Sequence, residues 1–148
     1  MTKNRLRAVR WWALDYSYAV KRQTRAAVTR MAPEALDSGD LAPVLVIPGI
    51  YESWRFLLPL VTQVHERGHP IHVVEGLQLN VRPVIESAAE VSAYLEHNDL
   101  TGAIILAHSK GGLIGKHMMV HDDTGPRAEV VLSLRGPTPS GLVHSIAL

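Results

Sequence analysis

The residues best equipped for chemistry lie in the run Leu106-Ala107-His108-Ser109-Lys110-Gly111-Gly112. The pattern is small-x-Ser-x-Gly, a variant of the G-x-S-x-G turn that carries a nucleophilic serine from a strand into a helix. Such a turn is sharp, and bulky side chains two residues before and after the serine would collide across it. Ala107 and Gly111 are small enough, and Gly112 permits close approach of helix to sheet. The turn lifts the Ser109 hydroxyl above the carboxyl edge of the sheet, beside the positive end of the next helix. A serine held there can attack a carbonyl carbon if a base takes its proton and two N–H groups receive the developing oxyanion. Lys110 supplies one N–H. The other must come from the loop after an earlier strand, and Pro48-Gly49-Ile50-Tyr51 follows directly on Val44-Leu45-Val46-Ile47. Ile50 N–H is the first choice as second donor and Tyr51 N–H the next.

The elements that must position these groups can be read from hydrophobic spacing. Residues 44–47 are a short apolar run ended by Pro-Gly, as expected of a strand buried on both faces. Ser53 suits the cap of a helix with the stripe Trp54, Leu57, Leu58, Val61 and Val64, ended by Gly68. Pro59 inside it predicts a kink. A second strand is expected over 71–74. Asn80 and Pro83 suit the start of a helix with Val84, Ala88, Val91 and Leu95 on one face. A third strand is expected over 103–107, a helix over 111–120 and a fourth strand over 130–134. Strands alternating with helices predict an α/β fold with a mostly parallel sheet and right-handed crossovers.

Val44-Leu-Val-Ile-Pro-Gly-Ile-Tyr51, the helix–strand–helix that follows, and Ile104-Ile-Leu-Ala-His-Ser-Lys-Gly-Gly112 together resemble the α/β-hydrolase superfamily, in its lipase and esterase flavour. His108 and Gly112 match the Gly-His-Ser-x-Gly-Gly elbow of that group. Leu134-Arg-Gly-Pro-Thr-Pro-Ser-Gly141 is an imperfect match to its Gly-Thr-Pro-x-x-Gly. The resemblance spans about residues 43 to 141. It implies a truncated α/β-hydrolase fold, a hydrophobic acyl ester as substrate, an acyl-enzyme on Ser109, and an oxyanion held by Lys110 and Ile50. It implies no metal or organic cofactor. Ala107 departs from the usual glycine. In this family the acid and the histidine follow the serine on later loops. Here 39 residues follow Ser109, with no acid after Glu129 and His144 as the histidine beyond the fourth strand. The expectation is therefore a truncated chain whose esterase activity is weak. An incomplete hydrolase acting as a binding or membrane-associated protein is the alternative, and an acyltransferase is a further one.

Composition bounds the rest. With 148 residues, 47% hydrophobic and 20% charged, the chain is one globular domain in size and balance. It has no cysteine, which excludes disulfides and thiolate chemistry. Residues 1–31 carry eight basic side chains and one acid, a net of about +7, and the remainder about −6. Three regions are expected: a basic aromatic helical arm over 1–31, a linker over 32–43 and the α/β domain over 44–148. The arm, with Trp11, Trp12, Tyr16 and Tyr18, either packs on the domain or lies on an anionic membrane surface. No motif points to nucleic acid. Without an evident secretory signal or apolar span, the chain is expected in the cytoplasm, with peripheral membrane contact through 1–31 as the variant. His117 and His121 share a helix face near Asp122 but lack the spacing of a zinc protease motif. His65, His69 and His72 read as surface histidines, Glu52 as a solvated carboxylate, His108 as structural, and Lys110 as acting through its N–H.

Overall fold

The computed structural model describes residues 32–121, 127–134 and 143–146. The arm over 1–31, the loop over 122–126 and the 136–141 segment lie outside the described residues. Five strands form one sheet in the order β2-β1-β3-β4-β5. They are β1 (Val44–Ile47), β2 (Ile71–Val73), β3 (Ala103–His108), β4 (Ala128–Leu134) and β5 (Val143–Ile146). The pairs β1–β2, β1–β3 and β3–β4 are parallel, and β5 runs antiparallel to β4. Three α-helices connect the parallel strands: α1 (Leu58–His65), α2 (Val84–His97) and α3 (Lys110–His121). This is a partial α/β fold, a mostly parallel sheet with flanking helices.

Strand periodicity divides the core into two layers. Leu45 and Ile47 of β1, with Ala103, Ile105 and Ala107 of β3, meet Ala88, Val91 and Leu95 of α2 and Ile114 and Met118 of α3. Val44 and Val46, with Leu106, face the opposite way onto Trp54, Phe56, Leu57 and Val61. Successive side chains point to opposite faces, so each strand serves both layers. That is why β1 reads as a continuous apolar run. The crossover leaving β1 therefore lies on one face and that leaving β3 on the other. Between these two neighbouring strands the winding reverses, and by the general rule for open α/β sheets their carboxyl ends frame the crevice where ligands bind.

The structure corrects several local expectations. The helix expected from Ser53 begins as a 3₁₀ segment, Trp54–Leu57, and becomes α-helical only at Leu58. Ser53 makes no capping hydrogen bond with its side chain. Pro59 falls in the first turn of α1, where its missing N–H costs nothing, so no mid-helix kink is needed. The 3₁₀ winding also buries Phe56, which the 3.6-residue stripe left out. α2 starts at Val84 with Pro83 in the cap position, and Asn80 belongs to a separate 3₁₀ segment, Glu75–Asn80. β5 was not expected: the fourth strand is not the last, and His144 lies within β5, paired with Ser133. In the stretch read as a linker, Leu36 is buried in the layer beneath β2, and Leu41 N–H donates to Gly68 O at 3.0 Å. Among the described residues no helix is long and apolar enough to cross a membrane.

Candidate active site

Ser109 is the single residue between β3 and α3, and its φ is +51°. A non-glycine residue in the left-handed region costs of order 1–3 kcal/mol and persists only where its surroundings enforce it. The enforcement is visible at Gly111. A Cβ there would lie 2.3 Å from the carbonyl oxygen of Ile47 and 3.0 Å from that of Pro48. The first turn of α3 thus sits against the end of β1, and glycine alone fits. The register pairs Ile47 with Ala107. Gly49 and Ser109, each two residues beyond that pair, emerge side by side at the crevice. Ser109 itself is exposed.

The loop after β1 is tied down from three directions. Glu52 Oε2 accepts the Gly49 N–H at 2.9 Å and meets His108 Nδ1 at 2.8 Å. Asn80 Nδ2 donates to Pro48 O at 2.6 Å. Tyr51, itself at φ +60°, donates its N–H to Leu79 O at 2.6 Å. Glu52 N–H closes a turn onto Gly49 O at 3.2 Å. The amides of Gly49, Tyr51 and Glu52 are therefore occupied, while no acceptor among the described residues is paired with Ile50 N–H. Nor is one paired with Lys110 N–H, a first-turn donor of α3 that its own helix cannot satisfy. Of the two amides considered for the second donor, Tyr51 is committed to Leu79 and Ile50 is available.

Three residues play parts that their spacing did not disclose. Glu52, expected to be solvated, is 9% exposed and bonded inside the loop. A carboxylate three residues after Gly49 is the sequence signal for that bond. Asn80, expected at a helix start, is buried at 2% exposure and follows Leu79 at φ +61°. Lys110 also acts through its ammonium, which donates to Asn80 O at 2.7 Å and to Arg82 O. These contacts bind the loops after β1, β2 and β3 into one unit. The ring of His108 lies 5.1 Å from that of Phe56.

Around Ser109 the exposed side chains of these loops and of α3 include Ile50, Tyr51, Leu79, Val81 and Leu113, at 46–65% exposure. A cleft of about 200 Å³ flanks the same loops, lined by Pro48, Trp54, Val74, Leu77 and Leu79, and Ser109 is not part of its wall. Matches to this chain are found neither among protein-family models, nor among curated proteins, nor among solved structures.

Five other histidines form local contacts. His117 and His121 do share a face of α3, with ring centroids 4.5 Å apart. Among the described residues no group of three or more ligating side chains could hold a metal ion, and Asp122 lies outside them. His65 Nδ1 and His69 Nδ1 contact the carbonyls of His69 and Ala42. His72 packs edge-on against Tyr94 at 6.3 Å, and burial lowers its pKa below the usual histidine value, opposed by the Asp37 carboxylate.

Proposed function

We propose that this chain carries a serine-hydrolase site of α/β-hydrolase type, acting on a hydrophobic acyl ester. The observation that carries the reading is Ser109 at φ +51°, held out of both strand and helix by the contact of Gly111 with the Ile47 carbonyl. Backbone strain of this kind is characteristic of functional positions, and a strand–turn–helix with an exposed serine is the context that the motif requires. Ser109 Oγ would add to the ester carbonyl carbon while its proton passes to a general base, a water molecule where no side chain among the described residues is bonded to the hydroxyl, and that proton would return to the departing alkoxide. Lys110 N–H and Ile50 N–H would receive the oxyanion, and its collapse would release the alcohol and leave an acyl-enzyme for water to cleave. The apolar side chains of Ile50, Tyr51, Leu79, Val81 and Leu113 around the serine favour an apolar acyl group.

A second reading, a hydrolase-like domain that binds and does not turn over, draws on one observation. The histidine beside the nucleophile, His108, gives its Nδ1 to Glu52 and makes no hydrogen bond to Ser109 among the described residues. A fluorophosphonate probe separates the two. Covalent labelling of the folded chain at Ser109, lost in Ser109→Ala, is expected of the hydrolase site. A folded chain that resists labelling would refute it.

A further inference from the structure

Glu52 and His108 belong to no part of the chemistry just described, yet they are among the most enclosed polar side chains of the site, each 12% exposed. A carboxylate removed from water is costly unless charge partners and N–H donors replace the solvent. Here a single oxygen of Glu52 takes both, the Gly49 amide and the His108 ring. The ring nitrogen facing a carboxylate must carry a proton, so Nδ1 is the donor. Phe56 lies beside the ring, with centroids 5.1 Å apart and planes tilted by 38°.

The sequence positions of these contacts give them meaning. His108 immediately precedes Ser109, and Gly49 immediately precedes Ile50. The bridge therefore links the residue before the nucleophile to the residue before the second oxyanion donor. The peptide joining Gly49 to Ile50 is trans, so its C=O and N–H point in opposite directions. Glu52 N–H holds that C=O at 3.2 Å while the Glu52 side chain holds the N–H of Gly49. One residue thus holds the peptide on each side of the Gly49 Cα, the preceding one by its N–H and the following one by its C=O, and so sets where Ile50 N–H points.

We propose that Glu52 and His108 are positioning residues that fix the Ile50 amide relative to Ser109. The inference rests on the serine-hydrolase reading and deepens it. The bridge contacts no substrate. It acts by keeping a donor preorganised, and the rate it protects is that of oxyanion formation.

The experiment uses the full chain and two pairs of variants. Glu52→Ala and His108→Phe remove the carboxylate or the donor, the second while keeping an aromatic ring against Phe56. Glu52→Gln and His108→Asn retain an acceptor oxygen or a donor at the same place. The readouts are the rate of fluorophosphonate labelling at Ser109 per folded molecule, kcat and KM for a p-nitrophenyl ester, and hydrogen exchange of the Gly49 amide. The disruptive variants are expected to label about 10–100-fold more slowly, a loss approaching that of one oxyanion donor. The loss should fall on kcat with KM little changed, and exchange at Gly49, whose amide Glu52 holds, should accelerate. The conservative variants should recover most of the rate. If His108→Phe or Glu52→Ala is folded and labels at the parental rate, the positioning role is wrong and the serine reading stands. If the folded parent does not label at all, both fall together.

Discussion

Substituting Gly111 by alanine adds one methyl group where the structure leaves no room. The new Cβ would stand 2.3 Å from Ile47 O, 3.0 Å from Ile47 C and 3.0 Å from Pro48 O. All three are backbone atoms at the end of β1, which is held on both sides by β2 and β3. A flexible side chain could swing aside, but this carbonyl cannot move without straining the pairing of Ile47 with Ala107. Alanine would relieve helix entropy by about 0.5–1 kcal/mol. Overpacking a close-packed interior costs about 1–3 kcal/mol and sometimes more, and a backbone neighbour puts this site at the upper end. The expected net loss is about 2 kcal/mol, close to a 30-fold shift in the folding equilibrium. Urea titration of Gly111→Ala against the parent reads it as a lowered midpoint with an unchanged slope. Lys116→Ala, an exposed site on the same helix, serves as control and should stay within about 0.5 kcal/mol. A Gly111→Ala midpoint indistinguishable from the parent's would refute the tight approach of α3 to β1, and with it the reason Ser109 is held at positive φ.

Asn80→Ala removes the donor to Pro48 O from a site only 2% exposed, and should destabilise by about 1–3 kcal/mol through the carbonyl left unpaired. Thermal unfolding reads this directly, and an unchanged midpoint would show that the loops after β1 and β2 are not coupled. His72 titrates below its ordinary value because burial disfavours its charged form. The unfolded chain then binds the proton more readily, so stability should fall as pH drops from about 6.5 towards the folded-state value, and stay flat with respect to this group above 6.5. Urea midpoints at pH 7.5 and 5.5 should differ less in His72→Gln than in the parent. An equal difference would remove His72 from the pH response.

Where sequence spacing was informative, it was so because a single local rule applied. The runs at 44–47 and 103–107 had to be strands buried on both sides, since no residue in them is polar and proline-glycine or a small-residue turn ends each. The elbow was readable because only small residues suit positions 107 and 111. The fragment over 53–68 was misjudged in detail because a helical stripe does not distinguish an initial 3₁₀ turn, and that turn decides whether Pro59 lies in the interior or at the start. β5 escaped notice because an antiparallel strand at an edge owes its existence to the neighbour it pairs with.

The chain's residue order alone determined that a serine stands at a strand-to-helix bend, that a proline-glycine loop follows an earlier strand, and that the layers alternate. These are properties of neighbours within a few residues of each other. Only the tertiary structure decided that Ile47 and Ala107 are paired, that Glu52 reaches His108 across 56 residues, that Asn80 reaches Pro48 across 32, and that Tyr51 yields its amide to Leu79. The last three of those contacts are hydrogen bonds between groups that become adjacent only when three strand ends meet at one crevice. The free energy that holds them is the burial of two apolar layers elsewhere in the molecule.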